Sequence, residues 1–159
     1  MQIKRSMLFV AVVGLAFSLT AGAQTAKPRP INPTGGGALY IAGDGFSLEQ
    51  AVSDGIRENQ GKTAFAVLVL NAEISKLGFH GATREVTNVV GQALNSRGSF
   101  YVCARDARRL NFSSSDFLPG VEIVRGFTSA EAANADAQAN QPNRVALAPL
   151  PRMRRICAE

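Results

Sequence analysis

The chain predicts an α/β three-layer sandwich around a mainly parallel five-stranded sheet. Three observations carry that expectation. Strand-length apolar runs alternate with helical periodicity from residue 38 to residue 148, the pattern of β-α-β units joined by right-handed crossovers. The run Ala64 to Leu70 (AFAVLVL) is apolar at every position, as a central parallel strand covered on both faces requires. Two segments, Ser47-Leu48-Glu49-Gln50 and Thr128-Ser129-Ala130-Glu131, have the spacing of a capping box, in which side chains and backbone N–H groups satisfy each other at a helix start.

The elements follow in order. Ala38 to Ala42 (ALYIA) reads as a short strand ending in Gly43-Asp44-Gly45. The helix opened by Ser47 carries Leu48, Val52 and Ile56 on one face and stops at Gly61, a residue that tolerates the left-handed cap conformation. The second strand runs to Leu70, and Asn71 to Ala82 is a long junction holding the single histidine, His80. Val86, Val89, Val90, Ala93 and Leu94 then mark a helix. Phe100 to Val102 is the third strand, with Cys103 at its carboxyl end and a helix-prone stretch from Ala104 to Leu110. Ser113 to Leu118 is one turn of helix, stopped by Pro119-Gly120, and Val121 to Val124 is the fourth strand. An alanine-rich helix runs from the second capping box to about Ala139, and Arg144 to Ala148 is the last strand. Pro149 and Pro151 close the domain, assigned to residues 38–151, and residues 152–159 read as a solvated basic tail.

The first 23 residues have the plan of an export signal. Lys4 and Arg5 form a positive start, Met7 to Leu19 is uncharged and apolar, and Ala21-Gly22-Ala23 offers small residues for cleavage before Gln24. The apolar stretch is short for a membrane span of about 20 residues. The expectation is a periplasmic protein, with secretion as the alternative, and no membrane anchor after cleavage. Residues 24–37 (QTAKPRPINPTGGG) are a Pro/Gly-rich lead-in. Its three glycines precede the first strand, so they are no dinucleotide fingerprint.

Composition narrows the chemistry. One histidine excludes a multi-His metal centre, and two cysteines in 159 residues exclude a four-cysteine zinc site. The formal charge of +5 falls by two when Lys4 and Arg5 leave with the signal. The remaining basic residues are scattered except near the C-terminus, which with export argues against nucleic acid. No cofactor motif, paired-carboxylate site or Ser/His/Asp arrangement is visible. Asn111-Phe112-Ser113 is a formal glycosylation sequon, read here as chance.

Sites in open parallel sheets form beyond the carboxyl ends of the strands. That rule selects Asp44, Asn71 with His80 in the following loop, and Cys103. Cys103 follows a strand, precedes a helix and is trailed by Arg105, Arg108 and Arg109. A nearby positive charge favours thiolate over thiol, so Cys103 is a candidate nucleophile or sulfur carrier, with Arg105 stabilising the anion. A buried structural cysteine is the competing reading. His80 reads first as a solvated loop histidine, with a Cys/His pair as the sharper alternative. Asp44 reads first as a turn residue between two glycines. Cys157 is a second thiol, exposed by its position near the terminus. With Cys103 it would form a structural disulfide, an intersubunit bridge or a redox-switchable pair. It could also act as a resolving cysteine.

The stretch Ala93 to Val124 resembles the core of the DsrE/DsrF-like family. The matching features are Gly98 after a helix, Val102-Cys103 ending a strand, a short helix to Asn111, and Leu118-Pro119-Gly120-Val121 turning into the next strand. The resemblance implies a flavodoxin-like α/β fold, a homo-oligomer (trimer or hexamer), and a persulfide carried on Cys103 between donor and acceptor proteins of a sulfur relay. The chain departs from the family where a Gly-rich turn is usual, with Asn71-Ala72-Glu73-Ile74, and after the cysteine, with Ala104-Arg105-Asp106-Ala107.

Three functions follow as expectations. The first is an exported sulfur carrier using Cys103, its status as an enzyme open. The second is a non-catalytic oligomeric binding or assembly module, with Cys103 buried or disulfide-bonded. The third is a thiol oxidoreductase using Cys103 and Cys157.

Overall fold

The computed structural model describes residues 37–127 and 145–158. The expected signal, nearly all of the lead-in and the alanine-rich helix lie outside the described residues. Strands β1 (Ala38–Ala42), β2 (Phe65–Val69), β3 (Gly98–Cys103), β4 (Val121–Arg125) and β5 (Ala146–Leu147) form one sheet. Every neighbouring pair is parallel. The helices are α1 (Leu48–Asn59), α2 (Arg84–Asn95), α3 (Ala104–Arg109) and α4 (Pro151–Ile156), with 3₁₀ segments at Asn71–Leu77 and Ser114–Asp116. Helices cover both faces, so the chain is the expected three-layer α/β sandwich.

Spatial strand order is β1-β2-β3-β4-β5. A doubly wound order such as 2-1-3-4-5 contains a reversal that opens a ligand crevice. This sheet has none. Successive parallel strands added in one direction by right-handed crossovers put their helices on one face. The two apolar clusters show this partition. On the first face Phe65, Val67, Val69, Phe100 and Val102 pack with Leu48 and Val52 of α1, Val86 and Val90 of α2, and Ala107 of α3. On the second face Ala66, Leu68, Tyr101, Cys103 and Val124 pack with Leu150, Met153 and Cys157. Alternate residues of β2 and β3 therefore enter opposite cores, and both strands are buried along their length. Burying a side chain the size of Leu68 or Phe65 contributes roughly 1.5–3 kcal/mol.

Local chemistry sets the helix ends. Ser47 Oγ accepts from the N–H of Gln50, and Thr83 Oγ1 from that of Val86. Gln60, with φ 47°, caps α1 one residue before Gly61. The 3₁₀ segment Asn71–Leu77 occupies a stretch read as irregular junction. Ile74 and Leu77 anchor it in the first core, and Glu73 accepts from the N–H of Leu48 at 2.7 Å. Lys76 bridges Glu73 and Glu49. Its ammonium is held protonated beyond the usual lysine range, chiefly by Glu73, against a smaller opposing effect of burial.

The ring of Phe65 lies where two glycines leave room. A Cβ on Gly55 would stand 2.5 Å from that ring, and one on Gly98 2.7 Å. Gly55→Ala gains helix propensity of about 1 kcal/mol, but the ring cannot retreat because Gly98 bounds it on the other side. Overpacking costs typically 1–3 kcal/mol. The variant is expected to unfold at lower temperature and lower urea concentration than the wild type.

Tyr101 supplies a second expectation. It is fully buried in β3, and among the described residues its hydroxyl has no hydrogen-bond partner. Burial, aided by neighbouring Glu122 and opposed by a smaller effect of the nearby Ser99 hydroxyl, pushes the phenol up to about 12. An unfolded tyrosine ionises near 10, so this contribution is intact below pH 10 and is lost as pH climbs towards 12. Tyr101→Phe removes an unpaired polar atom and should match or exceed wild-type stability at pH 7. It should also lose less stability between pH 9 and 11, read by urea titration at each pH.

Candidate functional site

The carboxyl ends of the strands carry Asp44, Asn71 and Cys103, and Cys157 is brought to Cys103. Cys103, the last residue of β3, is bonded to Cys157, with Cα atoms 5.0 Å apart and a sequence separation of 54. No free cysteine remains. The side chains are 0% and 1% exposed. Of the pairings open from sequence, the structure selects the intrachain one.

This corrects four expectations. Cys157 is not exposed, and residues after 151 are not a solvated tail. Pro151 opens α4 at the position where its missing N–H costs nothing. Met153 of α4 is fully buried, and Cys157 follows on the same covering segment. Nor is Cys103 a thiolate, because both sulfurs are spent in the bond. The Arg105 guanidinium is not aimed at it. Arg105 Nη1 donates to the carbonyl of Ala158 at 2.7 Å, and Nε lies 3.6 Å from Asp106. The arginine chosen as an anion stabiliser instead holds the chain end beside the disulfide.

Further contacts seat this segment. Gly126 N–H donates to the Cys157 carbonyl at 3.0 Å. A Cβ on Gly126 would fall on the backbone of Arg154, Cys157 and Ala158, so only glycine admits the approach. Arg154 Nε donates to the Ala148 carbonyl at 2.6 Å, and its guanidinium stands over the Phe127 ring. Pro151 in the first turn, with Met153, Ile156 and Cys157 in succession at helical spacing, is the signal that identifies this element.

The other candidates divide into two places. Asn71 Nδ2 donates to Asp44 Oδ1 at 2.6 Å. Both residues have left-handed backbone, φ 53° and 52°. Their bond ties the turn after β1 to the start of the segment after β2, so Asp44 is a turn residue with a partner. His80 sits in a separate loop. Its ring meets Phe79 edge-on at 5.7 Å, and the Phe79 N–H donates to the Asp116 carbonyl at 2.6 Å. The Asp116 carboxyl is held below the usual carboxylate range, first by its bonds from the side chain and backbone of Ser113, with His80 a minor contributor. Cys103 is bonded to sulfur, which removes the Cys/His pair. Among the described residues no three His, Cys, Asp or Glu side chains converge as metal ligands.

Sequence reading missed one feature. A groove of about 540 Å³ lies between α3 and β4, floored by Ala104, Ala107, Phe112, Val121 and Ile123, with Arg108 on its wall. The small residues of α3 at positions 104 and 107, facing alternate residues of β4, are its only trace in the sequence.

Loss of the bridge should be measurable. Closing a loop of this length contributes about 4 kcal/mol in the chain-entropy account. Cys157→Ser is expected to lower stability by that order in urea titration, and Cys103→Ser by a similar amount. The double variant should lose little more than either single one, because each removes the same bond.

Compared with protein-family models, curated proteins and solved structures, the chain finds no match.

Proposed function

We propose that the protein is an exported α/β binding and assembly module whose oxidised fold is stapled by Cys103–Cys157. The single observation behind this reading is that both sulfurs are bonded to each other and buried. A buried disulfide offers no nucleophile to a substrate. It does secure a covering helix of only six residues. Disulfides persist in the oxidising compartments to which the N-terminal signal points. The groove beside α3 is mainly apolar and supplies a place for a ligand with an apolar body.

A sulfur-carrier reading keeps one observation in its favour: Cys103 ends an interior strand of the sheet, within the stretch that resembles the DsrE/DsrF-like family. It requires reduction first. A dithiol would donate two electrons and two protons to the bridge, giving two thiols and a disulfide of the reductant. The Cys103 thiolate would then take the outer sulfur of a persulfide donor, R–S–SH, leaving a persulfide on Cys103 and R–S⁻.

Alkylation separates the two. Purified without reductant and treated with iodoacetamide in the folded state, the protein is expected to gain no adduct by intact mass. Alkylation of Cys103 under those conditions overturns the stapled-module reading. After a dithiol and then polysulfide, sulfur retained in the wild type but not in Cys103→Ser would establish the carrier.

A further inference from the structure

The outer edge of β1 is unpaired among the described residues, since it sits at the end of the sheet order. Its sequence, ALYIA, has no charge and no proline. Natural sheets usually blunt such an edge with lysine, proline, a bulge or a very short strand. The opposite edge follows that rule, because β5 has two residues. β1 has five, and its outer side borders a groove of about 450 Å³ lined by Leu39, Tyr40, Ile41 and Phe46, with Asp54 of α1 and Arg152 of α4 also lining it. Phe46 is 57% exposed.

The backbone register shows which groups are unspent. The Leu70 N–H donates to the Ala42 carbonyl at 2.9 Å, so Ala42 turns its backbone towards β2. Strand alternation gives Ala38 and Tyr40 the same direction and sends the N–H and C=O groups of Leu39 and Ile41 outward. These two residues flank Tyr40, the midpoint of the strand. A second copy laid antiparallel about a two-fold axis at Tyr40 sets Leu39 opposite Ile41 of that copy, and Ile41 opposite its Leu39. In an antiparallel ladder opposed residues of this kind exchange both hydrogen bonds. All four outward donors and acceptors on each copy are then satisfied, and two Leu–Ile side-chain pairs form on the second face. The edge is complementary to itself.

We infer that the β1 edge is a self-association surface on which a second copy of this chain pairs antiparallel about Tyr40, joining two sheets into one of ten strands. The inference rests on the assembly reading above in choosing a copy of the chain as the occupant, and the outcomes below distinguish failure of the surface alone from failure of both.

The test uses the chain purified after export. Sedimentation velocity over a concentration series should show a monomer–dimer equilibrium in the wild type. Leu39→Lys puts a charge on the outer edge and should weaken dimerisation at least tenfold while the circular dichroism spectrum is retained. Tyr40→Cys sets the two new thiols opposite each other at a non-hydrogen-bonded position, where Cα atoms approach about 4.5 Å, within disulfide reach. It should give a covalent dimer on mild oxidation, reversed by reductant, whereas Leu39→Cys should not. A monomer at every concentration overturns the inference and the assembly reading together, and leaves the edge to the lead-in or a foreign strand. Oligomers unchanged by Leu39→Lys, with Tyr40→Cys left uncrosslinked, overturn the β1 surface alone.

Discussion

Two-sided burial of β2 and β3 is the constraint on which the rest of the fold depends. Residues 65–70 and 100–103 alternate between two cores, so each face needs its own cover. Because the strands are added in one direction, right-handed crossovers commit α1, α2 and α3 to the same face. Among the described residues the second face is covered by what comes after the last strand. Here that is a segment ending in a helix of six residues. A helix that short has little stability of its own in water, and its retention depends on tertiary bonds.

Those bonds converge on one spot. The disulfide joins Cys157 to the end of β3, Arg105 holds the Ala158 carbonyl, and the Cys157 carbonyl accepts from Gly126. The features that made Cys103 attractive as a nucleophile, a strand end with arginines close by, serve equally well to anchor a chain terminus. The same residues support either chemistry. What separates them is whether a second sulfur is delivered, and α4 delivers it. In the oxidised protein the carboxyl edge is thus a seam, and among the described residues the grooves lie elsewhere, between α3 and β4 and along the outer side of β1.

The candidate residues behaved according to the range of the interactions that place them. Asp44 and Asn71 come together because tight turns after β1 and β2 put both at one edge, and turn chemistry is local. His80 is drawn instead towards Phe79 and the loop around Asp116. No spacing rule fixes which neighbour a residue meets in a long junction. The 3₁₀ segment Asn71–Leu77 escaped notice for a related reason. Its stability comes from Ile74 and Leu77 entering a core and from Glu73 reaching the start of α1, contacts remote in sequence.

By itself the sequence determined the class of the fold, the strands and the two longer helices. Apolar periodicity, capping residues and the uninterrupted run of β2 are short-range signals, readable wherever a core-facing pattern repeats within one element. The tertiary structure alone decided the strand order, the pairing of Cys103 with Cys157, the burial of Met153 and Cys157 in the C-terminal segment and, among the described residues, the unpaired edge of β1. Each of these depends on which distant surface remains uncovered once the first elements have packed, and that is a property of the assembled sheet.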